Sequence, residues 1–310
     1  MEGPQATVCV PVKDRRDRML RCLDALLALD HPSYEVLVLD NGSSDETAQA
    51  CRERAADAGV PVRVETVEGT VGRVRNVGAR LARGEVVAYT DSDCMVDPGW
   101  LREGVRPFED PSVGVVTGRT LPEVPGPYEP WQATIEVTEF TGRFESCNLF
   151  FRRAGLLATP GFDEEVGHFW EDTPAGWGMV LDGWRAAYAE GALVRHDVTY
   201  PGFAWHLRRA RKYGHAAAAI RRYPQLREEL LWHRFFVAPR NAATAAAAAG
   251  VLLSAVDRRA LALAAPWASR RLPRRARWSD VRSSAENALF DLAVLGGMVE
   301  GSVRWRRLVL

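Results

Sequence analysis

Residues 84–93, GEVVAYTDSD, contain the pattern that decides the fold, an apolar run followed by two carboxylates. The run Val86–Thr90 has the length and composition of a buried strand. Four similar strand patterns lie at Ala6–Val12, Glu35–Asp40, Val62–Thr66 and Val113–Gly118. Helical patterns separate the first four strands along the chain. This alternation predicts an α/β fold, with a mostly parallel sheet flanked by helices on both faces.

Acidic residues follow two of the predicted strands, at the edge where parallel sheets bind ligands. Asp40 ends the second strand pattern, and Asp91 and Asp93 follow the fourth. An acid at a strand end is often only a turn residue or a helix cap. Two carboxylates spaced by one residue can, however, both place oxygens on one hard cation. The sequence alone leaves both interpretations open.

The net charge of zero is a sum of two unequal parts. Residues 201–310 hold 20 basic and 7 acidic side chains, and residues 1–200 hold 20 basic and 33 acidic ones. The first part therefore carries −13 and the second +13. A nucleic-acid-binding protein would be basic where its fold is, so we expect no nucleic-acid partner. With 47% hydrophobic residues, the chain is too apolar to be disordered.

Missing motifs exclude several enzyme classes. No Gly-x-Gly-x-x-Gly follows the first strand, and neither Gly-x-x-x-x-Gly-Lys nor Gly-x-Ser-x-Gly occurs, which disfavours dehydrogenases, P-loop NTPases and α/β-hydrolases. The five cysteines form no Cys-x-x-Cys pair, so a disulfide framework is not expected. The N-terminus shows no secretory signal pattern. These features favour a cytoplasmic location, with peripheral attachment to the inner face of the plasma membrane left open.

An ordered series of motifs within residues 6–196 resembles the family 2 glycosyltransferases, which have the GT-A (Rossmann-like) fold. The series comprises Val10-Pro11-Val12, Val38–Thr47 (VLDNGSSDET), Arg75-Asn76-Val77-Gly78, Gly84–Asp93, Cys147–Phe150 (CNLF), Gly161–Glu164 (GFDE) and Trp170-Glu171-Asp172. The resemblance implies a catalytic domain over residues 1–205 that binds a nucleotide-sugar. From about Pro201 helical patterns replace the strand–helix alternation, so we expect a basic helical region over residues 206–310.

The resemblance also implies roles for individual residues. It places Asp40 against the edge of a nucleobase, where a carboxylate suits uracil, and Arg75 near the nucleotide. Asp91 would reach the ribose or a metal-bound water. The remaining substrate-binding positions of the motifs are Pro11, Val12, Ser92, Asn148 and Glu171.

For catalysis, the resemblance implies an inverting transfer from a nucleoside-diphosphate sugar, a UDP-sugar, to an acceptor hydroxyl. Asp93 and His196 would bind Mg²⁺ or Mn²⁺ on the diphosphate, and Asp172 would be the general base. The acceptor class stays open between a glycan, a lipid and a small molecule. Asn41 replaces an acid common in the family's nucleoside turn, which bears on the assignment of the base. No Gln-x-x-Arg-Trp occurs, so a processive synthase is not expected.

Two rival functions remain. A sugar-1-phosphate nucleotidylyltransferase should have a glycine-rich loop after the first strand, but residues 11–16 (PVKDRR) contain no glycine. A non-catalytic sugar-nucleotide-binding scaffold would not need a base, whereas Asp93 and Asp172 are both present.

The basic C-terminal third, with a cluster at 270–277 (RRLPRRAR), has three interpretations. It is a solvated face of a helical region, a surface for an anionic membrane, or a contact for an anionic acceptor or partner protein.

Overall fold

The computed structural model describes residues 4–272 and 278–310, and for Trp278 only the backbone. Residues 273–277 of the predicted basic cluster therefore lie outside the described residues. The chain forms two compact units, unit 1 up to Tyr200 and unit 2 from Pro201 onwards.

Unit 1 contains eight strands and six α-helices in its described part. The strands are β1 Ala6–Val12, β2 Tyr34–Asp40, β3 Val62–Thr66, β4 Val86–Thr90, β5 Cys94–Val96, β6 Val113–Pro122, β7 Asn148–Arg152 and β8 Arg185–His196. The helices are α1 Arg16–Leu27, α2 Thr47–Ala55, α3 Val71–Leu81, α4 Trp100–Val105, α5 Arg153–Ala158 and α6 Thr173–Leu181. The five predicted strands are confirmed as β1, β2, β3, β4 and β6, and β5, β7 and β8 are additional.

All eight strands form one sheet in the order β3-β2-β1-β4-β7-β6-β8-β5. Strands β3, β2, β1 and β4 are mutually parallel, as the strand–helix alternation predicts. The second half is mixed, because β7 is antiparallel to both β4 and β6, and β5 is antiparallel to β8. Beyond β4 the chain therefore departs from the simple crossover pattern.

Each central strand contributes alternate residues to the two faces of the sheet. In β1, Val8 and Val10 belong to a core packed by α1, with Leu23 among its members. Cys9 lies on the opposite face, in a core that also contains Val74 of α3 and Met179 of α6. Since successive side chains of a strand point to opposite faces, a strand buried on both sides reads as a continuous apolar run. This is the pattern that made the central strands recognisable.

Unit 2 is helical in its described part. Its α-helices are α7 Phe203–Arg209, α8 Ala216–Arg222, α9 Leu226–Leu230, α10 Pro239–Leu253, α11 Ala265–Arg271 and α12 Trp278–Trp305. Short 3₁₀ helices span Ala210–His215 and Arg258–Ala264. Among the described residues, no helix combines the length and apolarity needed to cross a membrane.

Helix α12 packs against the 3₁₀ helix Ala210–His215 with backbone in direct contact. A Cβ added at Gly301 would overlap the backbone oxygen of Gly214, and one added at Gly297 would lie 2.6 Å from the Cα of Arg211. Gly296, on the same helix, has no atom within 4 Å of such a Cβ. The two helices therefore approach this closely only because glycine occupies the contact.

We predict that alanine at Gly301 and at Gly296 has opposite effects on stability. Gly301→Ala should lower the free energy of unfolding by about 1–3 kcal/mol, because the methyl group meets rigid backbone. Gly296→Ala should leave it unchanged or raise it by about 0.5–1 kcal/mol, because alanine is the better helix former. Thermal and urea unfolding of both variants measure the effects. Equal effects would contradict the close packing.

Candidate functional site

The first group of predicted site residues lies where β1 and β2 end, at the carboxyl edge of the parallel strands. Val12 pairs with Asp40 in the register of the two strands. The Asp40 side chain is buried, and its carboxylate accepts the backbone N–H of Ser43 at 3.3 Å. Val12 packs into the core, and its backbone oxygen accepts the N–H of Asn41. Pro11, next to it, is half-buried.

The predicted metal residues are brought together by strand register. Asp93 directly precedes β5, and His196 ends β8. The antiparallel pairing sets Cys94 opposite His196, and the backbone oxygen of Asp93 accepts the N–H of Asp197 at 2.9 Å. The carboxylate Oδ1 of Asp93 and Nε2 of His196 consequently lie 3.8 Å apart.

This pair fits a divalent cation. Nδ1 of His196 lies 2.9 Å from the backbone oxygen of Asp197. A carbonyl oxygen can only accept, so Nδ1 carries a proton and Nε2 is the ring nitrogen that faces Asp93. One ligand atom each from Asp93, Cys94 and His196 lie within 4.8 Å of one another. Burial raises the pKa of the Cys94 thiol well above its usual value. A cysteine sulfur suits softer metals than Mg²⁺ or Mn²⁺, so Asp93 and His196 are the two suitable protein ligands.

Arg15 is a site residue that the motif series did not identify. Its Nη1 lies 2.5 Å from Oδ2 of Asp93, on the carboxylate that faces His196. The backbone N–H of Arg15 donates to the Thr47 hydroxyl, which ties the loop after β1 to α2. Its position in the sequence could have indicated this, because Arg15 lies three residues after β1, at the same edge of the sheet as Asp93.

Arg75 joins the two acidic motifs from the interior. It is 2% exposed, and its guanidinium donates to Asp91 through Nη2 and to Glu171 through Nη1, both at 2.9 Å. The Phe162 ring lies 5.6 Å from the guanidinium carbon. Burial alone would lower the pKa of Arg75, but the attraction of Asp91 and then Glu171 raises it above its usual value. Arg75 is therefore a buried link between carboxylates rather than a cation on an open surface.

The same link sets the charge of Asp91. Burial acts to raise the pKa of its carboxyl, but the attraction of Arg75, followed by that of His196, lowers it below the usual value. Asp91 is therefore ionised at neutral pH. The influence of His196 also shows that the Arg75 link adjoins the Asp93–His196 pair. Ser92, between the two carboxylates, is buried.

Asp172 sits at the start of α6. Its carboxylate accepts the backbone N–H groups of Thr173 at 2.9 Å and of Ser146 at 3.0 Å. Burial, reinforced by the negative charge of Glu171 and opposed by Arg75, raises the pKa of Asp172 to about 8. A carboxylate with so high a pKa is an unusually strong base for its type.

The side chain of Asn148, a predicted substrate-binding residue, makes three hydrogen bonds within the protein. Its side-chain oxygen accepts the Trp100 indole N–H at 2.8 Å. Its side-chain nitrogen donates to the backbone oxygens of Arg119 and Ala192, both at 2.8 Å. The amide thus ties β7 to both β6 and β8, and its donors are used inside the protein.

The sequence matches the model of the family described as glycosyl transferase family 2 over residues 7–169. Glycosyltransferase AglE of Haloferax volcanii is 31% identical over 118 residues, 37% of this chain and 39% of that protein. The pre-mycofactocin glycosyltransferase of Mycobacterium tuberculosis is 27% identical over 237 residues, 70% of this chain and 48% of that protein. The chain thus spans half or less of the length of these two relatives.

An uncharacterized glycosyltransferase of Mycobacterium tuberculosis is 33% identical over 210 residues, 64% of this chain and 87% of that protein. Among solved structures, the mannosyltransferase PcManGT from Pyrobaculum calidifontis, in complex with GDP-Man and Mn²⁺, superposes with a TM-score of 0.65 at 22% identity. The match covers 96% of this chain and 87% of that one. TarS 1–349 of S. aureus, in complex with UDP-GlcNAc, gives 0.53 at 19% identity, with 98% and 92% covered. These structures share the GT-A fold of unit 1, and the chain belongs to glycosyl transferase family 2.

Proposed function

We propose that this protein is an inverting glycosyltransferase that moves a sugar from a nucleoside-diphosphate donor to an acceptor hydroxyl. The observation that carries the proposal is the placement of three groups at one edge of the sheet. Asp93 and His196 form a cation-binding pair, Arg75 links the neighbouring carboxylates, and Asp172 is held with a raised pKa. Metal affinity, donor binding and proton removal can then be assigned to separate side chains.

For the donor, we assign Asp40 to the nucleobase and a uridine diphosphate sugar as the substrate. The Asp40 carboxylate is buried, and its Ser43 contact is long at 3.3 Å, which leaves acceptor capacity for an imide N–H. Uracil presents such an N–H, whereas cytosine has an unprotonated ring nitrogen at that position. Known structures of the fold contain UDP-GlcNAc and GDP-Man, so the fold itself accepts more than one base.

For the metal, Asp93 and His196 would hold Mg²⁺ or Mn²⁺. A divalent cation bound there would neutralise part of the negative charge that develops on the leaving nucleoside diphosphate. A carboxylate and an imidazole suit Mn²⁺ better than Mg²⁺, which prefers oxygen ligands. Arg15 provides a positive charge on the same carboxylate, so it must move aside for both oxygens of Asp93 to be available.

For the proton, Asp172 would accept it from the acceptor hydroxyl as that oxygen attacks the anomeric carbon. The N–H groups of Thr173 and Ser146 fix the orientation of the carboxylate. The charge of Glu171, which Arg75 holds in place, raises the basicity of Asp172. One displacement by the acceptor inverts the anomeric configuration.

The two rival functions differ in what they require of these groups. The family match and the shared fold disfavour a nucleotidylyltransferase. A non-catalytic scaffold would bind the nucleotide-sugar donor but would not need Asp172 as a base. Variants of Asp172 therefore distinguish a scaffold from an enzyme.

We predict that UDP binding depends on Mn²⁺ and on the Asp93–His196 pair. Asp93→Ala and His196→Gln should each weaken Mn²⁺-dependent UDP binding at least tenfold, because each removes one of two protein ligands. CDP should bind more weakly than UDP. Calorimetric titrations with and without Mn²⁺ measure these affinities, and Asp24→Ala, an exposed carboxylate paired with Arg54, is the matched control. Binding that ignores both metal and substitution refutes the donor site.

Arg15 should compete with the cation for Asp93. We expect Arg15→Gln to increase Mn²⁺ affinity about two- to fivefold, since an exposed ion pair is worth up to about 1 kcal/mol. Arg16→Gln, at the neighbouring exposed arginine paired with Asp17, should change nothing. Electron paramagnetic resonance of free Mn²⁺ reports the affinity without nucleotide. A decrease in Mn²⁺ affinity for Arg15→Gln would instead make the arginine a supporting residue.

Asp172→Asn should leave UDP binding nearly intact and lower transfer by about 10²–10⁴-fold, the usual contribution of a general base. Asp182→Asn, at the exposed far end of the same helix, is the control and should keep full activity. Product formation from a panel of UDP-sugars measures transfer. Preserved turnover in Asp172→Asn would favour the scaffold or another base.

The raised pKa predicts the pH dependence of the reaction. Because the base must be deprotonated, kcat/KM should rise about tenfold per pH unit below pH 8 and level off above it. A carboxyl with an ordinary pKa would already give a plateau above about pH 5. Rates measured between these pH values distinguish the two cases, and a flat profile would contradict the proposed environment of Asp172.

A further inference from the structure

Residues 239–272 of unit 2 form a helical hairpin. Helix α10 is one arm, and the 3₁₀ helix Arg258–Ala264 with α11 is the other. A Cβ added at Gly250 would lie 2.6 Å from the backbone oxygen of Ala260 and 3.0 Å from Cβ of Leu263. The arms are therefore in close contact at this point. The turn that connects them, together with the adjoining ends of both arms, forms a tip over residues 251–263, which we call the hairpin tip.

The hairpin tip exposes six large apolar side chains within residues 251–263. They are Val251 (59% exposed), Leu252 (77%), Leu253 (53%), Val256 (91%), Leu261 (50%) and Leu263 (45%). Scattered exposed apolar residues are normal in folded proteins, but six of them at one end of a hairpin indicate a surface that meets a partner. Leu252 and Val256 are the most exposed of the six, and apolar side chains at the end of a hairpin are suited to insertion into an interface.

The charge of the hairpin indicates the chemistry of that partner. Residues 239–272 contain five arginines and one acid, Asp257, which gives a net charge of +4. The Asp257 carboxylate is used locally, where it accepts the backbone N–H of Arg259 at 2.9 Å. Arg258 and Arg259 are both exposed, directly beside the apolar residues of the tip. An apolar tip with adjacent arginines matches the layering of a membrane interface, in which acyl chains lie beneath anionic phosphates.

A second copy of the chain is the main competing occupant. In a symmetric dimer through this patch, the same surface of both copies would meet, so two hairpins of the same positive charge would face each other. Each hairpin has one acid, Asp257, against five arginines, so the two copies would repel each other. Charge therefore opposes self-association at the tip and favours an anionic surface.

We propose that the hairpin tip docks the protein onto an anionic membrane by inserting Leu252 and Val256 among the lipids while Arg258 and Arg259 contact lipid phosphates. This inference goes beyond the transfer reaction and does not depend on it. Within the basic C-terminal third, it assigns membrane contact to one defined surface, the hairpin tip. The docking is peripheral, with the apolar side chains at the level of the interface.

The test is co-sedimentation of the full chain with two kinds of vesicle, phosphatidylcholine alone and phosphatidylcholine mixed with phosphatidylglycerol. We expect preferential binding to the anionic vesicles that weakens with salt. Leu252→Ser/Val256→Ser should lower the partition coefficient at least about tenfold, because two inserted apolar side chains are lost. Arg258→Gln/Arg259→Gln should lower it about fivefold per arginine for anionic vesicles only.

The matched control is Val124→Ser/Leu157→Ser, two exposed apolar residues of unit 1 that are 57% and 42% exposed. It should bind like the original protein, and unchanged circular dichroism in all three variants shows that folding is intact. Absence of binding to anionic vesicles, or binding that the tip variant retains, overturns the proposal. Sedimentation velocity without lipid completes the test. A dimer that dissociates in the Leu252→Ser/Val256→Ser variant and persists in the other two variants would assign the patch to self-association.

Discussion

The rest of the site depends on the two ion pairs that the buried guanidinium of Arg75 makes with Asp91 and Glu171. The guanidinium bridges Asp91, at the end of β4, and Glu171, just before α6, and so fixes two segments that are eighty residues apart in sequence. Removal of one partner of a buried ion pair leaves an uncompensated charge and costs about 3–5 kcal/mol. The arrangement also keeps Asp91 ionised and places the charge of Glu171 beside Asp172. One arginine thereby holds Asp91 and Glu171 in place, and the charge of Glu171 adds to the effect of burial in raising the pKa of Asp172.

The cation pair depends on a different constraint, the register of a very short strand. Strand β5 spans only Cys94–Val96, yet its pairing with β8 sets Asp93 beside His196. The Nδ1 contact with the Asp197 backbone then orients the imidazole. A slip of one residue would turn His196 to the other face of the sheet. The placement of Asp93 beside His196 and the pairing of β5 with β8 are therefore coupled, and the two side chains lie at the same edge of the sheet as the Arg75 link.

The sequence predicted the parts of the fold that are buried on both sides of the sheet. Strands β1, β2 and β4 read as apolar runs, but β5 has three residues, and β8 (RAAYAEGALVRH) is polar, half-exposed and interrupted by register shifts. The motif series named candidate site residues. It did not reveal that Arg75 is enclosed by carboxylates, that the Asn148 amide is used between strands, or that Arg15 reaches Asp93. Those facts depend on tertiary contacts, to which neither periodicity nor spacing is sensitive.

The central claim is that Arg75 organises the carboxylates while Asp93 and His196 hold the cation. Anomalous diffraction at the manganese edge, from crystals of the protein with Mn²⁺ and UDP, tests it most directly. We predict a single strong peak in contact with Asp93 and His196, Arg15 turned away from Asp93, and Arg75 still between Asp91 and Glu171. A manganese peak at Glu171 and Asp172, or an Arg75 guanidinium withdrawn from Glu171 to contact the diphosphate, would contradict the account.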